Sequence, residues 1–257
     1  MMEIKYPGSS KRSLIFAHRG ANREAAENTR SAFERALAYT IDGMETDVQL
    51  SRDEVAVLWH DRFLNKLPGY EDKHIDDYSY AELSVMDFAG HFGTGMTPES
   101  VMRLQDFLDA YRSRCRLLIE IKNRDWEARA RHEIKVRQTL DMIGAPRGDA
   151  ILVSSFDLPS LVYAQKYRAG FSLVYNLETE QTLAEAERVL SEHAFLHGLC
   201  LPITTLDESF VSVLRARGKG IAVYTCNSEE EIRKALDLGV DILISDLPQK
   251  ALRMRDA

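Results

Sequence analysis

Two histidines, three carboxylates and two cationic side chains stand at the ends of short apolar runs in this sequence. They are His18, His60, Glu45, Asp47, Glu120, Arg19 and Lys122. An imidazole can hold or release a proton near neutral pH, so His18 and His60 together suit general acid and base catalysis. Arginine and lysine supply hydrogen-bond donors for a phosphate or a carboxylate, which makes Arg19 and Lys122 candidate anion-binding groups.

The three carboxylates have the spacing of a metal site. Glu45 and Asp47 are two residues apart, so both point to one face of an extended strand. Together with Glu120 they repel one another, and a hard divalent cation with oxygen ligands, Mg²⁺ or Ca²⁺, relieves that repulsion. The lack of a nearby thiolate or an HxH spacing disfavours zinc. The alternative is a buried ion network with Arg19 and Lys122. A metal ion, two cations and two histidines favour a phosphoester substrate.

Eight apolar runs alternate with segments of helical period, which is the pattern of repeated βα units and a parallel sheet. The runs cover residues 13–17, 43–48, 116–121, 150–154, 171–175, 198–201, 220–224 and 240–244. Eight is the number that a TIM (β/α)8 barrel needs, and such barrels carry their active sites at the carboxyl ends of the strands. His18, Glu45, Asp47 and Glu120 all lie at such ends.

A ninth apolar run, residues 55–59, predicts a hairpin that extends the second strand. The four residues 52–55 are too few for a parallel crossover, so the run must pair antiparallel with residues 48–50. A four-residue loop pairs Gln49 with Leu58 and Asp47 with His60. The hairpin therefore predicts that His60 returns to a position beside Asp47.

The insertion at about residues 64–100 is rich in glycine and too long for a structureless turn inside a compact domain. We expect a lid or small subdomain with one short helix over residues 80–88. The rest of residues 1–257 is expected to form a single barrel domain. Three residues are predicted to cap barrel helices at their N-termini: Asn28, Asp157 and Ser228.

Composition argues against two classes of partner. The chain of 257 residues has a formal net charge of −7, whereas a nucleic-acid-binding domain has a Lys/Arg excess on one face. No apolar run reaches bilayer-spanning length, and residues 1–12 lack the apolar segment of a secretory signal. Cys115, Cys200 and Cys226 show no CxxC spacing, so we expect reduced core thiols and a cytoplasmic location. The expected partner is a small molecule, and the oligomeric state is not indicated.

Several short motifs resemble the glycerophosphodiester phosphodiesterase family in order and spacing. The first group is FAHRG at 16–20, ENT at 27–29, ETDVQL at 45–50, HD at 60–61 and EIK at 120–122. A second group is SSF at 154–156, VYTCN at 223–227 and GVDILISDLP at 239–248. Each motif alone is a weak signal, but the ordered set is specific, and it spans residues 13–248.

This resemblance implies a distorted TIM barrel that hydrolyses glycerophosphodiesters to sn-glycerol 3-phosphate and an alcohol. It implies a metal ion held by Glu45, Asp47 and Glu120. Phosphate contacts would come from Arg19 and Lys122, and general acid and base catalysis from His18 and His60. The free 2-hydroxyl of glycerol would attack phosphorus to give a cyclic phosphate, which water then opens.

One departure from the family pattern concerns the alcohol group of the substrate. Tyr224 stands where the family has a tryptophan near strand seven, so the wall that faces the alcohol is expected to differ. One alternative activity is lysophospholipase D-like, for which apolar surface would come from Tyr70, Tyr78, Tyr80, Phe88 and Phe92, although these aromatic residues equally fit the packing of a small lid. A second alternative is a non-catalytic barrel that binds a phosphodiester or a protein. The complete set of carboxylates and histidines disfavours it.

Overall fold

The computed structural model describes residues 12–93 and 95–257, and within them eight parallel strands close into a barrel. The strand order is β1-β9-β8-β7-β6-β5-β4-β2, and β1 pairs with β2 to complete the ring. The strands are β1 Leu14–His18, β2 Gly43–Leu50, β3 Ala56–Leu58, β4 Arg116–Ile121, β5 Ile151–Ser155, β6 Ser172–Asn176, β7 Gly198–Pro202, β8 Gly220–Tyr224 and β9 Ile242–Ser245. The predicted TIM barrel is confirmed.

Helices connect the strands and cover the outside of the barrel. They are α1 Arg30–Leu37, α2 Tyr80–Leu83, α3 Leu104–Tyr111, α4 Arg129–Ile143, α5 Leu158–Tyr167, α6 Leu183–Glu192, α7 Glu208–Ala216, α8 Glu229–Asp237 and α9 Pro248–Asp256. Asp157 and Ser228 cap α5 and α8, as predicted. The predicted Asn28 cap is wrong, because Thr29 accepts from Ala32 N and caps α1. Asn28 instead has a left-handed backbone, with φ of 58°, and turns its side chain toward β2.

An apolar layer closes the lower half of the barrel interior. Its buried members are Phe16, Leu118, Leu152, Val174, Cys200, Ala222, Ile242 and Ile244. Gly43 is needed in this layer, since a Cβ there would lie 2.4 Å from the Phe16 ring. The polar side chains at the carboxyl ends of the strands therefore stand on a buried apolar layer, where electrostatic interactions are stronger than in water.

The hairpin of β2 and β3 exists, but its predicted register is wrong by one residue. Gln49 pairs with Val57 rather than with Leu58, and Asp47 O accepts from Trp59 N at 3.1 Å. The loop has three residues instead of four, because Ser51 N donates to Val55 O at 3.0 Å. Glu54 makes this tight loop possible by adopting a left-handed backbone, with φ of 62°.

The insertion between β3 and α3 has its own small core. That core consists of Val57, Trp59, Leu64, Leu67, Ile75, Leu83, Met86, Phe88 and Val101. The predicted helix over residues 80–88 is too long, since α2 ends at Leu83. Asp87 Oδ1 accepts from the backbone N–H groups of Ala89, Gly90 and Glu99, and this local alternative to helix hydrogen bonding turns the chain.

Two further sequence predictions concern membranes and cysteines. Among the described helices, none combines the length and the apolar character that a bilayer span requires. Cys115, Cys200 and Cys226 are free thiols, and the last two are buried. The prediction about a secretory signal concerns residues 1–12, of which 1–11 lie outside the described residues.

Candidate active site

A cavity of about 200 Å³ lies at the carboxyl ends of the barrel strands. Seven of the eight predicted site residues line it, namely His18, Arg19, Glu45, His60, Glu120, Lys122 and Tyr224. The eighth, Asp47, is 1 % exposed and lies against the same group. His18 is beside Glu45 in the pairing of β1 with β2, and Asp47 is beside Glu120 in the pairing of β2 with β4. Parallel pairing thus gathers side chains that are far apart in the sequence.

Glu45, Asp47 and Glu120 form a compact buried cluster. One oxygen of each lies within 4.8 Å of an oxygen of each of the others. Asp47 Oδ1 and Glu120 Oε1 are buried, and both lie beside Lys122 Nζ. Converging buried carboxylate oxygens are the ligands that a hard divalent cation takes, so the cluster fits such an ion.

Arg19 and Lys122 lie against this cluster and neutralise part of its charge. Arg19 Nε is 3.1 Å from Asp47 Oδ2. Lys122 Nζ is 3.1 Å from Asp47 Oδ1 and 2.5 Å from Glu120 Oε1. These are the contacts that a buried ion network, the alternative to a metal site, requires. Three carboxylates outnumber two cations, so full ionisation of the group would leave it one charge negative.

The pKa values of the cluster are displaced in opposite directions. Burial and the neighbouring Asp47 raise the pKa of Glu45 well above its ordinary value. Burial acts in the same direction on Asp47, but Lys122 and Arg19 outweigh it and hold the pKa of Asp47 well below its usual range. Ionising all the carboxylates together is thus unfavourable without a further cation.

His18 is held by a carboxylate that the sequence analysis did not single out. His18 Nδ1 is 2.6 Å from Asp246 Oδ1, and because a carboxylate only accepts, Nδ1 carries the proton. Asp246 also accepts from Asn22 at 2.7 Å, from Arg23 at 2.8 Å and from Asn227 at 2.9 Å. These donors outweigh burial and hold the pKa of Asp246 below its usual range, so Asp246 is an ionised, fixed partner of His18.

His60 lines the same cavity from the insertion side. Its Nδ1 is 2.8 Å from Asp61 Oδ1. Lys66 Nζ contacts Asp61 Oδ2 at 3.0 Å and Glu27 Oε1 at 2.8 Å. Arg19 Nη1 donates to the other oxygen of Glu27 at 3.2 Å. A chain of ion pairs thus links the insertion to the carboxylate cluster.

Tyr224 presents its ring rather than its hydroxyl to the cavity. The hydroxyl donates to Leu177 O at 2.6 Å. The ring meets Phe156 edge-on, with centroids 6.0 Å apart, and Lys122 Nζ lies 5.8 Å from the Phe156 ring. One part of the cavity wall is therefore aromatic, and the Tyr224 hydroxyl already has a partner within the protein.

Asn28 is a second residue whose role the sequence analysis missed. Its Nδ2 donates to Asp47 Oδ2 at 3.0 Å, and its Oδ1 accepts from Thr46 Oγ1 at 2.7 Å. Asn28 lies in the motif at 27–29, and Asp246 lies in the motif at 239–248. Membership of these motifs was the one signal in the sequence that either residue belongs to the site. Their contacts depend on the closed barrel and could not be inferred from spacing.

Comparison with known proteins agrees with this geometry. Residues 18–250 match the Glycerophosphoryl diester phosphodiesterase family. A glycerophosphodiester phosphodiesterase of Bacillus altitudinis is 31 % identical over 250 residues, which cover 94 % of this chain and 98 % of that one. An Oleispira antarctica phosphodiesterase, solved in complex with the product sn-glycerol-3-phosphate, superposes with a TM-score of 0.83 at 26 % identity, covering 96 % of this chain and 98 % of that one.

A structure of a glycerophosphodiester phosphodiesterase from Agrobacterium tumefaciens is also similar, with a TM-score of 0.76 and 25 % identity over 93 % of this chain and 99 % of that one. Fold, cavity and family match together define an enzyme that hydrolyses phosphoric diesters. The chain belongs to the glycerophosphoryl diester phosphodiesterase family.

Proposed function

We propose that this chain hydrolyses glycerophosphodiesters to sn-glycerol 3-phosphate and an alcohol, with His18 and His60 as general acid and base. The observation that carries this proposal is the single cavity that both histidines share with Glu45, Glu120 and the flanking cations. The product bound to the Oleispira antarctica relative supports the substrate class.

Glu45, Asp47 and Glu120 would hold one divalent cation, Mg²⁺ or Ca²⁺. The fit rests on their buried oxygens and on the negative charge that Arg19 and Lys122 leave uncompensated. When bound, such an ion supplies Lewis-acid stabilisation of the charge that develops on the phosphoryl oxygens. It would also make the site attractive to a diester anion rather than repulsive.

The protein groups would act on the substrate in two steps. The diester phosphate lies against Arg19 and Lys122, whose donors orient it. One histidine accepts the proton of the 2-hydroxyl of glycerol as it attacks phosphorus, and the other protonates the departing alcohol. The two exchange roles when water opens the cyclic phosphate. A neighbouring hydroxyl as nucleophile needs no second molecule at this stage, which lowers the entropic cost.

A metal-restoration assay tests this proposal. Protein stripped of metal is incubated with glycerophosphocholine, glycerophosphoethanolamine or lysophosphatidylcholine, Mg²⁺ or Ca²⁺ is added, and released glycerol 3-phosphate or lysophosphatidic acid is measured. We expect glycerol 3-phosphate from the first two substrates. Absence of turnover with either metal would exclude the enzymatic function and favour a phosphodiester-binding barrel. A His60→Ala variant should lose roughly a hundredfold in rate or more.

The same assay separates the lysophospholipase D-like alternative. Phe88 is buried in the core of the insertion, and Tyr70, Tyr78 and Tyr80 pack against that core. This packing accounts for four of the five aromatic residues that the alternative requires for an acyl-binding surface. We therefore propose short alcohols as leaving groups.

We also propose one domain over residues 1–257 and, from the three free thiols, a cytoplasmic location.

A further inference from the structure

His60 lies beyond the end of β3, which stops at Leu58. Trp59 N still donates to Asp47 O at 3.1 Å, but the chain then leaves the hairpin. A proton-transfer group must keep its position closely, because a displacement of about 1 Å can cost roughly a hundredfold in rate. Contacts other than strand pairing have to fix this part of the backbone.

Two side chains bind three successive carbonyl groups around His60. Gln49 Nε2 donates to Trp59 O at 2.7 Å and to Asp61 O at 3.1 Å. Arg124 Nη2 donates to the carbonyl of His60 itself, and Arg124 Nε donates to Gln49 Oε1 at 3.4 Å. We name this set the Gln49–Arg124 clamp. It fixes the backbone on both sides of the imidazole.

The clamp is itself attached to rigid parts of the barrel. Gln49 belongs to β2, is 2 % exposed and pairs with Val57. Arg124 follows β4, its carbonyl lies 3.1 Å from His132 Nε2, and its guanidinium lies 5.9 Å from the Trp126 ring centroid. Among the described residues that line the active-site cavity, neither Gln49 nor Arg124 occurs. The clamp therefore reaches the site through the backbone of His60.

We propose that Gln49 and Arg124 are positioning residues for the proton transfer by His60. The proposal rests on the proposed function, in which His60 is a general acid or base. The clamp determines where the imidazole stands, and it contributes neither a metal ligand nor a phosphate contact. Loss of Gln49 should consequently lower kcat and leave the binding of substrate and metal unchanged. Loss of Arg124 should also lower kcat, but it removes a positive charge that acts on Asp47 and Glu120 and should therefore strengthen metal binding somewhat.

The test uses Gln49→Met and Arg124→Met, which keep the side-chain volume and remove the donors. With glycerophosphocholine we expect kcat of both variants to fall roughly ten- to a hundredfold, with KM changed less than about twofold. For Gln49→Met, which removes no charge, the Mg²⁺ concentration for half-maximal activity should also change less than about twofold. Arg124→Lys keeps one donor and should restore part of kcat, which also keeps the test available if Arg124→Met does not fold. Wild-type kcat in folded variants, or a raised KM at unchanged kcat, would overturn the proposal.

Arg131→Met is the matched control. Arg131 Nη2 donates to Leu50 O at 3.2 Å and to Ser51 O at 2.5 Å, so it also binds carbonyls of this hairpin, but at the end away from His60. We expect its kcat to stay within about twofold of wild type even if thermal stability falls. A loss of kcat equal to that of Arg124→Met would show a general effect on the hairpin and overturn the proposal.

A double-mutant comparison separates this inference from the proposed function. In a His60→Ala background, Gln49→Met should cause no further loss of kcat, because the group that it positions is already gone. An equal loss in both backgrounds would overturn the clamp and leave the role of His60 intact. Full activity of His60→Ala alone would overturn the proposed role of His60, and the clamp with it.

The side chain of Asn176 lies in the active-site cavity and has a polar atom without a hydrogen-bond partner among the described residues. Asn176 lines the cavity and is 4 % exposed. Its Nδ2 donates to Ser154 Oγ at 3.4 Å, while its Oδ1 has no hydrogen-bond partner among the described residues. Buried polar atoms of this kind are nearly always paired, so an unpaired one in a ligand cavity points to a ligand group.

The neighbours of Asn176 indicate the chemistry of the ligand group that would pair with its side chain. Cys200, in the apolar layer, pairs with Asn176 in the sheet, and the rings of Phe156 and Tyr224 also line the cavity. A small carbon chain that carries a hydroxyl fits such a mixed surface. A hydroxyl can donate to the amide oxygen or accept from the amide nitrogen, so the pairing holds for either orientation of the amide.

We infer that Asn176, with Ser154, binds the glycerol hydroxyl that does not attack phosphorus. This inference also rests on the proposed function, and it names a specificity determinant. The test compares glycerophosphocholine with the phosphocholine diester of 1,2-propanediol, which keeps the attacking hydroxyl and lacks the other. Wild type should prefer the glycerol substrate by roughly tenfold or more in kcat/KM, and Asn176→Leu should reduce that ratio to about one.

Thr139→Val is the control for this test. Thr139 Oγ1 is likewise buried without a hydrogen-bond partner among the described residues, but it belongs to α4, outside the cavity. The ratio of kcat/KM for the two substrates should be the same in Thr139→Val as in wild type. A wild type that turns over both substrates equally, or an Asn176→Leu variant with the wild-type ratio, would overturn the inference alone. A wild type inactive on both would overturn the proposed function.

Discussion

Single residues of this site differ in how far the sequence could predict them. His18 could be predicted because it ends an apolar run, and the ends of barrel strands form the active site. Glu45 could be predicted because strand alternation places it on the same face of β2 as Asp47. Asp246 could not be assigned a partner, because its contact with His18 joins residues 228 positions apart and exists only in the closed barrel. Asn28 was misassigned as a cap because Thr29, the next residue, is an equally good one.

Asp246→Ala should lower kcat for glycerophosphocholine by roughly tenfold or more, because the imidazole of His18 loses the carboxylate that orients it. KM should change little, since Asp246 is not proposed to contact the substrate. Steady-state kinetics of the purified variant gives both values.

The control for this prediction is Arg23→Ala. Arg23 also contacts Asp246, at 2.8 Å, but its side chain is 62 % exposed and its ion pair is therefore weak. We expect nearly wild-type kcat. Equal losses in both variants would contradict an orienting role that is specific to the carboxylate.

At the scale of elements, periodicity predicted the strands well and their ends less well. The hairpin existed as predicted because its connection was too short for a crossover. Its register was wrong because the loop length depends on the backbone of Glu54, and a glutamate gives no sign of a left-handed conformation. The helix of the insertion was predicted too long, since Met86 N donates to Leu83 O and Phe88 N to Glu99 O instead of to the carbonyls four residues earlier.

Glu54→Val should lower the free energy of unfolding by about 1 kcal/mol or more, because a β-branched residue is strained at positive φ. Glu54→Gly should be neutral or slightly stabilising, since glycine adopts this conformation without steric cost. Urea denaturation of both variants measures the difference. Equal stability of the two would show that the three-residue loop does not constrain position 54.

For the whole molecule, a divalent cation at the proposed site and the two cationic side chains would compete to neutralise the same carboxylates. The sequence left the metal site and the ion network open as alternatives, and the structure has the contacts of the ion network and a carboxylate cluster that fits a metal. Arg19 and Lys122 contact Asp47 directly, but they are two cations beside three carboxylates. We therefore expect metal binding to add to the stability of the folded protein.

Addition of Mg²⁺ or Ca²⁺ at 100 times its dissociation constant should raise the free energy of unfolding by about 2.7 kcal/mol, by mass action alone. Thermal unfolding with and without metal checks this, independently of catalysis. Glu120→Gln should remove most of the increase, because a neutral amide replaces one ligand charge. An unchanged stability of the wild type at every metal concentration would favour the ion network as the complete state of the cluster.

The ring of strands has a consequence for protein synthesis. β1 carries His18, and the segment that follows β9 carries Asp246, so the first and last strands of the barrel supply the proposed pair of His18 and Asp246. A growing chain that already contains Glu45, Asp47 and Glu120 therefore still lacks the carboxylate that orients the imidazole. We expect full activity only after Asp246 has been synthesised and β9 has paired with β1.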